Sequence, residues 1–101
     1  MILYNVTVSV DNDIESQWLG WMKAEHIPNV LETGCFLGHR ILRMLNDQPD
    51  ATGVTYAVQY ELESMAILDH YLVAHAPKLQ QDVMIKFGQK CLAFRSVLEE
   101  V

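Results

Sequence analysis

Two adjacent titratable residues, Glu25 and His26, are the strongest candidates for chemistry in this sequence. They follow an apolar stripe with the spacing of one helical face, formed by Ile14, Trp18, Trp21 and Met22. Pro28 then interrupts the helical pattern. A lone carboxylate is costly to bury among apolar side chains. We therefore expect the helix to fray before Glu25, to supply Glu25 with a donor, or to open onto a wet cavity.

His26 has two interpretations. An imidazole titrates near neutral pH and can transfer protons or bind anions, which makes His26 the candidate catalytic residue. Alternatively, His26 hydrogen-bonds backbone carbonyls at the helix C-terminus and interacts there with the helix dipole. Only the first interpretation requires a cavity beside it.

Five residues form the predicted ligand-binding set: Trp18, Trp21, Glu25, His26 and Tyr56. Indole rings can wall a flat aromatic site, although a tryptophan stripe at helical spacing is also typical of a core. Tyr56 lies on the apolar parity of a predicted strand, and its hydroxyl needs a partner if it is buried. The four histidines show no HxxxH or HxH spacing, and the two cysteines match no zinc motif. We predict neither a metal site nor a cofactor.

Composition indicates one globular domain over residues 1–101, with 50% hydrophobic and 20% charged residues. The net charge of -6, with only 7 Lys and Arg, disfavours binding to nucleic acid or to an anionic membrane surface. No apolar run approaches the roughly 20 residues of a membrane span. The opening MILYNVTVSV lacks the charged segment of a signal peptide, so we expect a cytoplasmic protein.

The predicted elements follow the order β-α-β-β-α-β. Strands are expected at residues 2–10, 35–45, 54–62 and 91–98. The first helix should run to about residue 26, with Ile27 outside the α region and a short further turn from Pro28 to Gly34. The second helix should begin after Ser64, kink at Pro77 and end at Gly88. This order is the ferredoxin-like arrangement, an α+β fold with two helices on one face of a four-stranded antiparallel sheet.

The opposite face of the predicted sheet mixes polar and apolar side chains. Its polar members are Asn5, Thr7, Gln59, Glu61 and Arg95, interspersed with Leu3, Ala57, Ala93 and Val97. Such a face suits a second copy of itself better than water, which predicts a homodimer formed through the sheet face. We expect Asn5, Glu61 and Arg95 to form interface hydrogen bonds and ion pairs.

The whole chain resembles the dimeric α+β barrel superfamily and, more narrowly, a family of small uncharacterised bacterial proteins. The resemblance is carried by Ile2-Leu3-Tyr4-Asn5-Val6-Thr7, Trp21-Met22, His26-Ile27-Pro28, Thr33-Gly34-Cys35-Phe36, Thr55-Tyr56, Gln59-Tyr60 and Phe94-Arg95. The superfamily includes the antibiotic-biosynthesis monooxygenases, whose resemblance is more distant, and stress-responsive barrel proteins. The resemblance implies that two subunits pack sheet against sheet and that the pocket lies between the sheet and its own helices. Enzymes of the superfamily often need no metal or cofactor.

Three functions are compatible with the sequence. The first is a homodimeric small-molecule binding or sensing module, with a pocket bordered by Trp18, Trp21, His26 and Tyr56. The second is a cofactor-independent enzyme resembling the small monooxygenases or isomerases of the superfamily, with His26 transferring protons and Tyr56 orienting the substrate. The third is a structural or protein-interaction domain without a pocket.

Overall fold

A computed structural model describes residues 1–46 and 52–101. The strands are β1 (Ile2–Asp11), β2 (Gly38–Arg43), β3 (Gly53–Leu62) and β4 (Cys91–Glu99), and the helices are α1 (Glu15–Trp21), α2 (Ile27–Glu32), α3 (Met65–Ala74) and α4 (Ala76–Phe87). Short 3-10 helices occupy Asn12–Ile14 and Gly88–Lys90, and a π-helical turn, Met22–His26, joins α1 to α2. The segment that joins the second and third predicted strands includes residues 47–51, which lie outside the described residues.

The four strands form one antiparallel sheet in the order β2-β3-β1-β4. The long central pair, β1 and β3, runs from Ile2 opposite Leu62 to Asp11 opposite Gly53. The helices cover one face of this sheet. The ferredoxin-like fold predicted from the sequence is therefore confirmed.

The core lies between the helices and one parity of the central strands. Strand side chains alternate between the two faces of a sheet. The core-facing strand residues that are buried are Ile2, Tyr4, Val8 and Val10 of β1 and Tyr56, Val58, Tyr60 and Leu62 of β3. The helical segments contribute Trp18, Met22, Ile27, Val30, Leu68, Tyr71, Leu79 and Phe87. The predicted parities of β1 and β3 are both confirmed.

The predicted orientation of the last strand is wrong. In an antiparallel pair, residues directly opposite each other share a face. Arg95 lies opposite Val6, and Ala93 lies opposite Val8, so both face the helices. Leu92 and Phe94 instead share the open face of the sheet, with their side chains largely exposed. The prediction failed because it assumed that the more apolar parity of β4 points inward.

The first helix does not end before Pro28. Ile27 has α-helical dihedral angles, φ -61° and ψ -45°, and its N–H bonds to the carbonyl of Met22, five residues back. A proline inside a regular α-helix lacks an N–H and its ring crowds the carbonyl four residues earlier. The wider π turn just before Pro28 relieves that crowding and lets the helical path continue into α2.

Several predicted boundaries agree with the structure. Gly34 adopts φ 77° after α2. Ser64 accepts a hydrogen bond from the N–H of Ile67 at 3.3 Å and caps α3. The long second helix divides at His75 into α3 and α4, next to Pro77. Cys35, however, lies before β2, which is shorter than the predicted strand at residues 35–45.

We predict that Gly53→Ala destabilises the fold. A Cβ at Gly53 would lie 2.7 Å from the backbone carbonyl oxygen of Val10, so paired backbone would have to move. The expected loss is about 1–3 kcal/mol of unfolding free energy, measured by urea denaturation. Gly20→Ala is the matched control, because nothing lies within 4 Å of its added Cβ and alanine favours a helix. Equal stability of the two variants would contradict the prediction.

Candidate ligand-binding cleft

A cleft of about 280 Å³ lies between α4 and the β1–β4 half of the sheet. Trp18 and Met22, both buried in the core, contribute to its lining. The remaining lining residues are Val6 and Val8 of β1, Gln80, Val83 and Met84 of α4, Gly88, and Cys91, Leu92, Ala93 and Arg95 of β4. The walls are therefore mainly apolar, with very few polar groups to orient a bound molecule.

Arg95 is the only charged residue among those that line this cleft. The β1–β4 register brings it to the helix-covered face, opposite Val6. Its guanidinium lies near the hydroxyl of Tyr4, a buried residue of β1, and partly opposes the rise in the pKa of Tyr4 that burial causes. Arg95 takes part in no ion pair within residues 1–46 and 52–101. The cleft therefore has an exposed cation that lies near a phenol and forms no ion pair with a carboxylate of the described residues.

His26 does not line the cleft. It ends the π turn and stacks on Trp21, with ring centroids 5.2 Å apart. Burial lowers the pKa of His26 to about 4, a shift that Asp82 opposes and the charge of Arg95 reinforces. The imidazole is consequently neutral at neutral pH, and it is a weaker base than an ordinary histidine.

Trp21 and Glu25 also lie outside the cleft lining. Trp21 packs edge-on against Phe87 at 5.5 Å between centroids, and the Lys86 ammonium lies 5.9 Å from its ring centre. Glu25 is exposed. The helix end therefore neither frays nor buries the carboxylate, because the π turn leaves Glu25 in solvent.

Tyr56 belongs to a separate polar network. Its hydroxyl donates to Glu15 Oε2 at 2.6 Å and accepts from Arg43 Nε at 3.1 Å. Its ring contacts Trp18, with centroids 4.9 Å apart. Burial, followed by the hydrogen bond to Glu15, raises the pKa of Tyr56. The hydroxyl thus has two protein partners, and Tyr56 supports the Trp18 wall of the cleft from behind.

An aromatic cluster adjoins Arg95 through Tyr4. Tyr4 lies 6.4 Å from Phe36 and 6.0 Å from Tyr71, and Phe36 lies 5.0 Å from Tyr60, all between ring centroids. Burial raises the pKa values of Tyr60 and Tyr71, so both are neutral phenols. The cluster forms an apolar support for Tyr4, whose hydroxyl lies near Arg95.

Of the five predicted ligand-binding residues, only Trp18 lines the cleft among the described residues. Trp21 and His26 stack on each other outside its lining, Tyr56 contacts Trp18, and Glu25 is in solvent. The sequence analysis assigned Arg95 to the dimer face instead of the cleft, and it missed the contribution of α4, represented by Gln80, Val83 and Met84. The pairing register of β4 with β1 would have shown that Arg95 faces the helices. The alternation of side chains along β4 does not by itself show which of its two sides faces the helices.

Neither a metal cluster nor a membrane helix is found in the described part of the chain. No group of three or more His, Cys, Asp or Glu side chains converges there in an arrangement that could hold a metal ion. None of the helices in residues 1–46 and 52–101 is long and apolar enough to cross a bilayer.

The topology and the helix-covered sheet define a ferredoxin-like α+β protein. The chain belongs to the family Domain of unknown function DUF4286, whose model matches residues 1–101. The narrower resemblance seen in the sequence agrees with this membership. A search among curated proteins finds no significant match.

Solved structures from several bacteria and one uncultured organism share the fold. An ethyl tert-butyl ether d (ethd) family protein from Bacillus halodurans is 14% identical, with a TM-score of 0.68 and full coverage of both chains. A protein assigned to the antibiotic biosynthesis monooxygenases, from Deinococcus radiodurans, is 11% identical, with a TM-score of 0.70 over 100% of this chain and 93% of that one. A dimeric ferredoxin-like protein from an uncultured marine organism is 12% identical, with a TM-score of 0.67 over 99% and 97%. At these identities the likeness is one of fold.

We predict that His26→Gln flattens the acid sensitivity of the fold. The folded chain keeps His26 neutral down to about pH 4, whereas the unfolded chain protonates it near pH 6.5. Unfolding free energy should therefore fall between pH 6.5 and 4 by about 2–3 kcal/mol because of this residue alone. The variant should lack that part of the fall in urea denaturation measured across this range.

His70→Gln is the control for this measurement, because His70 is exposed on α3. It should retain the wild-type pH dependence. An unchanged slope in His26→Gln would show that burial of His26 does not govern acid stability.

Proposed function

We propose that the protein is a homodimeric small-molecule binding or sensing module whose ligand occupies the cleft between α4 and the sheet. The cleft itself is the observation that supports this function. Its volume of about 280 Å³ suits a compact organic molecule, and its walls are apolar apart from Gln80 and Arg95.

A cofactor-independent enzyme is the alternative, and the position of His26 weighs against it. A general base must reach the proton that it removes and works best with a pKa near the working pH. His26 does not line the cleft, and burial lowers its pKa to about 4. The likeness to the monooxygenase-type structure is a likeness of fold and carries no reaction with it. Binding is therefore the function we prefer.

The open face of the sheet supports the homodimer. Leu42, Leu92, Phe94 and Leu98 lie on this face and are between 46% and 67% exposed. Asn5 donates to Thr7 and Ser96 there, and Arg40 pairs with Glu61 at 3.2 Å. An exposed apolar surface with polar groups interspersed is typical of a site for another protein surface. The marine structure of the same fold is described as dimeric, which favours a second copy as the partner.

The binding function is tested with N-phenyl-1-naphthylamine, a neutral apolar dye that fluoresces when it leaves water. We expect wild type to bind the dye and Ala93→Phe to bind it at least about tenfold more weakly. Ala93 faces the helices, lines the cleft and is exposed, so a larger side chain can fill the cleft without entering the core.

Val73→Phe adds the same ring to an exposed position of α3 that does not line the cleft, and it should bind like wild type. Absence of binding to wild type would count against the cleft as a ligand site. Equal binding to all three proteins would place the dye elsewhere.

The homodimer is tested with Phe94→Glu. A carboxylate in place of this exposed ring should be costly to bury between two sheet faces. We expect wild type to sediment as a dimer at micromolar concentration and the variant as a monomer with an unchanged circular dichroism spectrum. Ile85→Glu is the control on α4, where an apolar residue is also exposed, and it should remain dimeric. A monomeric wild type would refute the homodimer.

A further inference from the structure

We infer that the cleft selects small amphipathic molecules carrying a single anionic group, which Arg95 binds while an apolar body occupies the space beside Trp18. This inference rests on the proposed binding function and adds the chemical class of the ligand. It depends on where Arg95 lies and on what surrounds it.

Arg95 is an exposed cation that lines an apolar cleft and forms no ion pair within the described residues. The cleft is lined by apolar residues, one glycine and Gln80, with no carboxylate among them. The chain as a whole has a net charge of -6, with 7 Lys and Arg against 13 Asp and Glu. The apolar walls beside the guanidinium can bind the apolar body of a ligand whose anionic group meets Arg95. We therefore expect a ligand of this cleft to carry an anionic group that pairs with Arg95.

The guanidinium has donors available for a ligand. Strand β4 carries the backbone of Arg95 opposite Val6, and the side chain lies near the hydroxyl of Tyr4. Tyr4 is itself fixed by its contacts with Phe36 and Tyr71. A guanidinium has five N–H donors in a planar fork, which suits two-point binding of a carboxylate or a similar oxyanion. The guanidinium can therefore offer such a group a two-point contact at the cleft.

The nearby titratable groups do not compete for this role. Asp82 is the acidic residue of α4, and its Oδ2 pairs with Lys78 Nζ at 3.3 Å. His26 is neutral at neutral pH and lies outside the cleft lining. Neither group neutralises Arg95, and neither adds a second positive charge. One cation suits a monoanion, whereas a di- or triphosphate would leave most of its charge unpaired in an apolar cleft.

The test compares two dyes that differ by one anionic group. The first is 8-anilinonaphthalene-1-sulfonate and the second is N-phenyl-1-naphthylamine, the same ring system without the sulfonate. Only the binding that Ala93→Phe removes is counted, because the open sheet face also exposes apolar side chains. We expect wild type to bind the sulfonate more tightly than the neutral dye.

Arg95→Gln should weaken binding of the sulfonate by about tenfold to a hundredfold, the usual effect of losing a hydrogen bond to a charged group. It should leave binding of the neutral dye within about twofold, since the apolar walls remain. Arg95→Lys should recover part of the loss because it restores the charge without the fork. Lys23→Gln removes a charge from an exposed position outside the cleft lining and should change neither affinity.

The outcomes separate this inference from the proposed function. If Arg95→Gln binds both dyes as wild type does, the inference about anions is overturned and the cleft remains a binding site. If the variant loses both dyes equally, Arg95 supports the structure and does not recognise charge, which also overturns the inference. If wild type binds neither dye in the cleft, the proposed function itself fails.

Discussion

The pairing of β4 with β1 is the constraint on which the other features of the molecule depend. Val6 lies opposite Arg95, and Thr7 lies opposite Phe94. Because paired residues share a face, this register sends the guanidinium towards the helices and the phenyl ring to the open face. The unpaired cation in the cleft and the apolar open face both follow from this alignment.

The π turn before Pro28 has a comparable effect on the helical side. It lets a proline follow the apolar stripe without ending the helix. The extra residue in the turn rotates the following side chains relative to a regular helix. His26 consequently stacks on Trp21 and approaches Asp82 and Arg95, while Glu25 stays in water. The two titratable neighbours therefore have opposite environments.

The fold could be predicted from the sequence because its signals are local. Alternation in β1 and β3, the cap at Ser64 and the left-handed Gly34 each depend on a few neighbouring residues. The cleft could not be predicted in the same way. Strand β4 carries apolar residues on both parities, so its orientation depends on pairing with a strand more than 80 positions earlier. Pro28 normally predicts a helix end, and the wider turn that accommodates it has no simple sequence signal.

Strand β4 is also an edge strand of nine residues, and its alternate side chains face two different environments. Odd-numbered Ala93 and Arg95 face the helices, and even-numbered Leu92 and Phe94 face outward. Residues at odd positions can therefore change during evolution with little effect on the outer face. Residues at even positions can change with little effect on the side that faces the helices. Insertion or deletion of one residue has no such freedom, because a shift by one exchanges every side chain between the faces. The length of this strand should consequently vary much less among related chains than its composition.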